Sequence, residues 1–121
     1  TPLYSSAASD VYKRQGAHLL ISQQTVDRLI NPKAYALRNI GQVTVKGKST
    51  STVIYEVFSQ DDPATQAGKR ANEAWFAAAI AAYEQGDLVQ ARRLFSQCLE
   101  VCPTDRVARI YRDRCRKAER R

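Results

Sequence analysis

Residues 36–58, ALRNIGQVTVKGKSTSTVIYEVF, decide the fold of the first half of the chain. Polar and apolar residues alternate from Gln42 to Val45, and Thr52–Phe58 is rich in β-branched and aromatic residues. Both patterns are typical of strands with one buried face. Between them lies Lys46-Gly47-Lys48-Ser49, where a glycine permits a turn with positive φ. The stretch therefore predicts a β-hairpin with two lysines at its tip, and such a hairpin needs a larger sheet to be stable.

The residues before the hairpin predict one more strand and a short helix. His18–Ile21 is an apolar run that suits a buried strand, and Ser22 stands where a helix N-cap is expected. The helix should cover about Gln23–Ile30 and end at Asn31-Pro32, with its apolar face formed by Val26, Leu29 and Ile30. The order strand, helix, strand, strand indicates an α/β or α+β layer in which helices cover a sheet.

Two segments have no pattern of regular structure. Residues 1–15 show no sustained period, and we expect them to be a non-native or disordered leader. Residues 60–68 are polar, with Asp-Asp-Pro and Gly68 as breaks, and predict a linker. The predicted domains are therefore residues 16–59 and residues 69–121.

The composition after the predicted linker indicates an all-α region. We predict helices at residues 70–85, 88–101 and 106–120, with a turn at Gly86-Asp87, a stop at Pro103 and a cap at Asp105. The predicted buried faces repeat at three- and four-residue spacing: Trp75, Ala78, Ala79, Ala82 and Tyr83; Leu88, Ala91, Leu94, Phe95, Cys98 and Leu99; Val107, Ala108, Tyr111, Cys115 and Ala118. The first two helices would form an αα-hairpin.

Charge and cysteine content exclude some classes of protein. The 121 residues carry a formal charge of +7, which is spread over both halves and is densest in residues 105–121. The longest apolar run, Ala74–Ala82, is too short to cross a membrane. Three cysteines without a secretory signal favour buried thiols in a reducing cytoplasm over disulfides. No metal site is expected, because His18 is the only histidine and is remote from them in sequence.

The helical region resembles a tetratricopeptide repeat. The residues that carry the resemblance occupy the small, aromatic, turn and terminating positions of that repeat: Trp75, Ala79, Tyr83, Gly86, Ala91, Phe95 and Pro103. Cys98 stands where a small alanine is usual. The resemblance covers one repeat and the first helix of a second, which implies that the region leans on a neighbouring domain or on a partner protein.

Residues 20–57 resemble the C-terminal end of a class III adenylate/guanylate cyclase catalytic domain. Leu20-Ile21-Ser22, the Thr25–Leu29 helix and Leu37–Gly41 match in order and spacing. The match continues through Val43, Val45–Lys48 and Val53–Val57. The resemblance implies that the chain is α+β, with a truncated ferredoxin-like cyclase sheet of helix plus hairpin followed by the tetratricopeptide-like tail.

The resemblance also implies a chemistry. The family converts ATP or GTP to a cyclic 3′,5′-nucleotide and pyrophosphate in intracellular signalling, with Mg or Mn held by two carboxylates. It acts as a homodimer of catalytic domains. Lys46 matches the lysine that reaches the nucleotide's polyphosphate, while the alternative is that Lys46 and Lys48 are solvated turn residues. No catalytic or metal-binding residue can be placed in this chain, so we expect it to be inactive alone.

A second reading is an interaction module in which the helical tail docks a protein partner. Tyr83, Phe95 and Tyr111 could line its surface, although core packing explains them equally well. Nucleic acid is not an expected partner, because the arginines of residues 106–121 flank an apolar stripe without interleaved exposed aromatics. We expect a cytoplasmic chain without a membrane segment, although upstream segments could anchor the parent enzyme.

Overall fold

The computed structural model of the chain describes residues 19–44 and 51–119. The chain divides into two compact units, residues 1–60 and residues 61–121. The described elements are β1 (Leu19–Ser22), α1 (Gln23–Asp27), a 3₁₀ turn (Pro32–Ala34), β2 (Leu37–Thr44), β3 (Ser51–Val57), α2 (Pro63–Ala71), α3 (Glu73–Glu84), α4 (Leu88–Val101) and α5 (Arg106–Glu119). The predicted α+β class is confirmed: the first unit contains a small antiparallel sheet, and the second is helical.

The sheet has the strand order β1-β3-β2, and β3 is antiparallel to both neighbours. The predicted hairpin is the β2–β3 pair, whose register runs from Leu37 opposite Val57 to Thr44 opposite Ser51. Strand β2 begins five residues earlier than the predicted start at Gln42, because its first residues pair with the last residues of β3. The apolar run before Ser22 is a strand, as predicted, and it pairs with the other side of β3.

A β-bulge interrupts the hairpin between Asn39 and Gln42. Asn39 lies opposite Tyr55 and Gln42 lies opposite Val53, so that Ile40 and Gly41 share one partner position. Gly41 has a φ of 115°, a conformation that favours glycine, and its N–H donates to the Asn39 side-chain oxygen at 2.8 Å. The bulge allows Ile40 and Val43 both to be buried, although they are an odd number of residues apart.

Helix α1 is shorter than predicted. Ser22 caps it as expected, with its Oγ accepting a hydrogen bond from the Thr25 N–H at 3.3 Å. The N–H groups of Arg28 and Leu29 then bond three residues back, to the carbonyls of residues 25 and 26, and this tighter turn ends the helix at Asp27. The prediction that Ile30 lies on a buried face is wrong, because its side chain lies beyond the helix and is fully exposed.

Helix α2 occupies most of the predicted linker, so the prediction of irregular structure is wrong for residues 63–68. Asp62 caps the helix: its two carboxylate oxygens accept from the Thr65 N–H at 3.1 Å and from the Thr65 hydroxyl at 2.7 Å. Pro63 occupies the first turn, where its missing N–H costs nothing. The Asp-Pro pair that indicated a break is therefore the start of a helix.

Among the remaining helices, the bounds of α4 and α5 agree closely with the predicted bounds. Helix α4 has the predicted bounds, and α5 begins as predicted after Asp105, whose carboxylate accepts from the Ala108 N–H at 3.2 Å. The predicted helix at residues 70–85 is divided at Asn72 into the end of α2 and the whole of α3. Helix α4 packs against both α3 and α5.

Aromatic rings fill the space between these helices. The Phe76 and Phe95 rings meet edge to face at 5.8 Å between centroids, and Phe95 stacks on Tyr111 at 5.0 Å. Tyr83 meets the edge of Tyr111 at 5.0 Å. Phe95 and Tyr111 are buried and Tyr83 is half-buried, so these three residues belong to the core of the unit rather than to an open surface.

The buried face of α3 differs from the predicted stripe. Trp75 is 47% exposed and Ala78 is exposed, while Phe76 and Ile80 are buried in their place. Nearly every position of α3 is apolar, so the hydrophobic pattern does not define a single buried face of the helix. Which face is buried depends on packing against the neighbouring helices. In α5 the predicted Ala118 is exposed, and Ile110 is buried instead.

The three cysteines are buried, as predicted, and they form no disulfide. Burial raises the pKa of the Cys115 thiol to about 11, and the nearby Glu119 carboxylate adds to the effect. A thiol in this state is protonated and unreactive at neutral pH. The cysteines therefore serve as small apolar residues of the helical core.

Candidate functional site

The end of the hairpin is the first candidate site. Thr44 and Ser51 lie opposite each other as the last paired residues of β2 and β3, and residues 45–50 connect them. Lys46, the predicted polyphosphate-binding residue, and Lys48 lie in this segment, outside the described residues. The structure thus describes the two strands that carry the segment, and the role of Lys46 stays a prediction.

Polar side chains connect this end of the sheet to helix α1. The Tyr55 hydroxyl donates to the Gln23 side-chain oxygen at 2.8 Å, and the Thr52 hydroxyl donates to the Gln24 side-chain oxygen at 2.9 Å. Within the hairpin, the Ser51 hydroxyl donates to the Gln42 side-chain oxygen at 3.1 Å. These bonds join β1, through α1, to the strands that flank residues 45–50, and they hold the base of the hairpin in one arrangement.

A buried ion pair crosses the other end of the hairpin. Arg38 donates to one carboxylate oxygen of Glu56 from Nη2 at 2.6 Å and from Nε at 3.1 Å. The two residues are register partners on β2 and β3, and Glu56 is completely buried. The sequence analysis did not predict this pair. The available signal was that Arg38 and Glu56 carry opposite charges on the two strands of the predicted hairpin. The pair favours this strand register, because a slip of one residue would separate two buried charges that bond each other across the strands.

The acidic residues near the sheet and in α2 do not form a metal site. Asp27 is exposed on α1 and accepts from the Gln23 amide at 2.9 Å. Asp61 accepts from the Lys69 ammonium at 2.6 Å, and Asp62 caps α2. Hydrogen bonds from the Thr65 side chain and backbone hold the pKa of Asp62 below its ordinary value. Within residues 19–44 and 51–119, no group of three metal-ligating side chains comes together.

The junction of α2 and α3 contains a buried residue that sequence analysis did not single out. The Asn72 side-chain amide donates to the Cys98 carbonyl of α4 at 2.8 Å. Its backbone N–H donates to the Gly68 carbonyl at 3.0 Å, and its own carbonyl accepts a hydrogen bond from the Phe76 N–H at 2.8 Å. Asn72 therefore ends one helix, begins the next and ties both to α4. Its position as the first residue of a helical repeat was the only available signal.

The surface of the helical unit presents two exposed faces of different character. Helix α3 has no basic residue, and its exposed side consists of Trp75, four alanines and two glutamates. Helix α5 exposes a basic face that includes Arg106, Arg116 and Lys117. Helices α4 and α5 are joined by Arg92, whose Nε lies 2.9 Å from a Glu119 carboxylate oxygen.

Comparison with known proteins identifies the helical region independently. Residues 72–105 match the tetratricopeptide repeat model. These 34 residues begin at Asn72 and span α3, α4 and the turn that follows, which are the elements described above as an αα-hairpin. The tetratricopeptide-like nature of this region is therefore confirmed.

One curated relative matches most of the chain. It is a protein of Dictyostelium discoideum named "Adenylate cyclase, terminal-differentiation specific", 28% identical over 112 residues. The match covers 92% of this chain and 5% of the relative, so the chain spans only a small part of that protein's length. No solved structure matches the chain.

None of the helices in the described part of the chain is long and apolar enough to cross a membrane.

Proposed function

We propose that the chain belongs to a class III nucleotide cyclase and supplies the last helix and hairpin of its catalytic domain. The observation that carries this proposal is the similarity to an adenylate cyclase over 92% of the chain, a length that includes residues of both units. The element order β1, α1, β2, β3 supports it, because it is the order of the motifs that resemble the end of a cyclase domain. The parent enzyme would convert ATP or GTP to a cyclic nucleotide and pyrophosphate.

The divalent metals of such an enzyme do not fit the acidic residues described in this chain. Asp61 is engaged by the buried Lys69, Asp62 by the first turn of α2, and Glu56 by Arg38. In our proposal the Mg or Mn is held by carboxylates of the parent enzyme that are not part of this chain. The coding sequence upstream of Gly16 tests this: it should encode two metal-binding aspartates and an asparagine and arginine on one helix, and an unrelated domain there would contradict the proposal.

The contribution of this chain to the reaction is a positive charge for the nucleotide's polyphosphate. In the sequence, Lys46 comes two residues after Thr44, the last described residue of β2. A lysine ammonium supplies a point charge that can bind a phosphate oxygen. Lys46 would bind and orient the triphosphate, and it would not transfer a proton.

Replacing Lys46 in the full-length enzyme tests this role. The Lys46→Ala variant should raise the KM for the nucleotide roughly 10- to 100-fold, because a charge-assisted hydrogen bond contributes about 1.5–3 kcal/mol. Steady-state cyclase kinetics at saturating metal would measure the change.

Lys48 supplies the matched control, since it carries the same charge two residues away and matches no substrate contact. The Lys48→Ala variant should leave the KM within about twofold of the wild type, as expected for a solvated surface lysine. If the two substitutions raised the KM equally, the effect of Lys46 would come from its positive charge alone and not from a specific contact with the polyphosphate. Unchanged kinetics for Lys46→Ala would remove it from the substrate site.

A second candidate function concerns the helical unit. The tetratricopeptide match at residues 72–105 supports a protein-interaction module, whose partner could lie within the parent enzyme or on another protein. In the first case the tail would pack beside a cytoplasmic catalytic homodimer. Co-purification with the full-length protein tests the module: a Trp75→Ala variant should lose a partner that the Val101→Ala variant keeps, because both residues are exposed but lie on different helices.

A further inference from the structure

The charges of the helical unit are separated along the chain. Residues 61–105 contain four basic and seven acidic residues, which give a net charge of −3. Helix α5 contains six basic and two acidic residues, which give a net charge of +4. Helix α5 also lies after the residues that match the tetratricopeptide repeat, so the repeat does not account for this local excess of positive charge.

Five charged residues of α5 share one side of the helix. All five are exposed: Arg106, Arg109, Asp113, Arg116 and Lys117. At about 3.6 residues per turn, they fall within roughly 100° of one another around the helix axis and extend over about 16 Å along it. The four cations among them form the basic face of α5, and no apolar residue lies within its arc.

The two acids of α5 do not neutralise this face. Asp113 lies among the cations, but Arg112 of the same helix donates to it at 3.1 Å. Glu119 lies outside the arc, where Arg92 of α4 donates to it at 2.9 Å. In the part of the chain that the structure describes, no carboxylate forms an ion pair with any of the four cations. The basic face therefore keeps a net positive charge even when Asp113 is counted.

The helix dipole explains only half of these cations. A helix favours cations in its last turn, where Arg116 and Lys117 lie, and disfavours them at its N-terminal end. Arg106 is the first residue of α5 and Arg109 is the fourth, and the first turn contains no acidic residue. The stability of the helix itself therefore does not account for the two cations at this end.

We propose that the basic face of α5 binds the anionic phospholipid headgroups of a membrane surface. The opposite side of α5 is buried in the helical unit through Val107, Tyr111 and Cys115. The helix therefore has no open apolar side with which to enter the bilayer, and the binding is electrostatic. The inference goes beyond the two proposed functions, since it uses neither Lys46 nor the tetratricopeptide match.

The composition of the basic face favours a lipid surface over a protein or a nucleic acid. The centre of a protein interface is normally depleted of charged residues and enriched in aromatic ones, whereas this face is charged throughout. Single-stranded nucleic acids are normally bound by basic residues together with exposed aromatic residues, which this face lacks. Against a duplex, Asp113 would meet phosphates that are fixed in place, whereas anionic lipids diffuse and can gather around the cations.

Such binding should be weak, reversible and sensitive to salt. Each basic residue near an anionic lipid surface contributes about fivefold in partitioning, which is about 1 kcal/mol. Four such residues offset by one carboxylate give a modest total. The attraction falls off within a Debye length of the surface, so added salt should release the protein.

Vesicle co-sedimentation of the full chain tests the proposal. At low salt the wild type should bind vesicles of phosphatidylcholine mixed with phosphatidylserine, and it should not bind vesicles of phosphatidylcholine alone. Lys117→Gln should lower the partition coefficient about fivefold, and Arg106→Gln/Lys117→Gln should lower it about 25-fold. Asp113→Asn should raise it about fivefold, because the face then loses its one acid.

The matched control is Arg93→Gln, which removes an exposed cation of α4 outside the basic face. It should leave the partition coefficient within about twofold of the wild type, and circular dichroism should be the same for all variants. Three outcomes overturn the inference: no binding to the anionic vesicles, equal losses in Lys117→Gln and Arg93→Gln, or tighter binding through the same residues to a DNA duplex or a polyglutamate peptide.

Discussion

Gly68 sets the distance between helix α2 and the end of α4. A Cβ atom at this position would lie 2.8 Å from both the Cβ and the Sγ of Cys102. The Cβ of Cys102 is fixed to its backbone, so no side-chain rotation relieves the contact. A glycine inside a helix is normally unfavourable by about 1 kcal/mol relative to alanine. Here the close approach of two backbone segments explains why it is present.

We predict that Gly68→Ala destabilises the helical unit. The clash should cost about 1–3 kcal/mol and outweigh the helix propensity that alanine gains, for a net loss of roughly 1 kcal/mol. Urea unfolding followed by circular dichroism would measure it. In a Cys102→Gly background the same substitution should become neutral or stabilising, since the opposing atoms are gone. An equal cost in both backgrounds would place the strain elsewhere.

Cys115 should make the stability of the helical unit depend on alkaline pH. Its pKa is raised from 9.0 to about 11 by burial, so the unfolded thiol loses its proton at a lower pH than the folded one. The folded state therefore binds more protons between pH 9 and 11, and its free energy of unfolding should fall as pH rises through this range. A pKa difference of this size corresponds to roughly 2.7 kcal/mol, most of which is lost by pH 11.

The Cys115→Ala variant isolates this contribution from the tyrosines and lysines that titrate in the same range. Its free energy of unfolding should be lower than that of the wild type at pH 8, because a small cavity is created. The difference between the two proteins should then shrink by roughly 2 kcal/mol on going to pH 11. A constant difference across this range would mean that the thiol titrates normally.

At the scale of elements, the Arg38–Glu56 pair is the feature that makes the β2–β3 register specific. The side chains are 7% and 0% exposed and lie 2.6 Å apart, so removing the charge of Glu56 takes a charge-assisted hydrogen-bond partner from the buried Arg38. We predict that Glu56→Gln destabilises the sheet by about 3 kcal/mol. Amide hydrogen exchange in β2 and β3 would measure the loss, and Glu100→Gln, at an exposed position of α4, is the matched control.

Replacing both residues separates the destabilisation caused by removing one charge from the net contribution of the ion pair to the free energy of unfolding. An Arg38→Leu/Glu56→Leu protein should recover most of the stability that Glu56→Gln loses, because apolar side chains can fill the same buried space. If the double variant is as unstable as the single one, the pair itself contributes the stability. In that case the sheet depends on the hydrogen bonds rather than on charge balance.

The helices α4 and α5 could be predicted well because each carries one apolar stripe between clear end signals. Asp105 caps α5, as predicted, and Asp87, which was predicted as part of a turn, caps α4. Helix α2 was missed because Asp62-Pro63 is compatible with a break and with a helix start, and only the bonds to Thr65 distinguish the two. The predicted helix α1 was too long, because the apolar residues continue to Ile30 whereas the helix ends at Asp27.

At the scale of the whole molecule, the chain joins two kinds of structure that are stabilised differently. The sheet has a β-bulge within β2 and a buried ion pair near one end of the hairpin, whereas the helical unit has stacked aromatic rings and small residues. The match to the curated adenylate cyclase extends over 112 residues, more than either unit contains, so it includes residues of both units. The two proposed functions follow the same division, because Lys46 belongs to the first unit and the tetratricopeptide match at residues 72–105 to the second.

The sequence by itself determined the hairpin, the repeat, the burial of the three cysteines and, apart from α2, the order of strands and helices. These follow from periodicity and end signals, which act over a few residues. Only the tertiary structure decided that Phe76 rather than Trp75 enters the core, that Arg38 meets Glu56, and that Gly68 touches Cys102. Each of these depends on which atoms meet across a space between elements, and a helix as uniformly apolar as α3 carries no local signal for that choice.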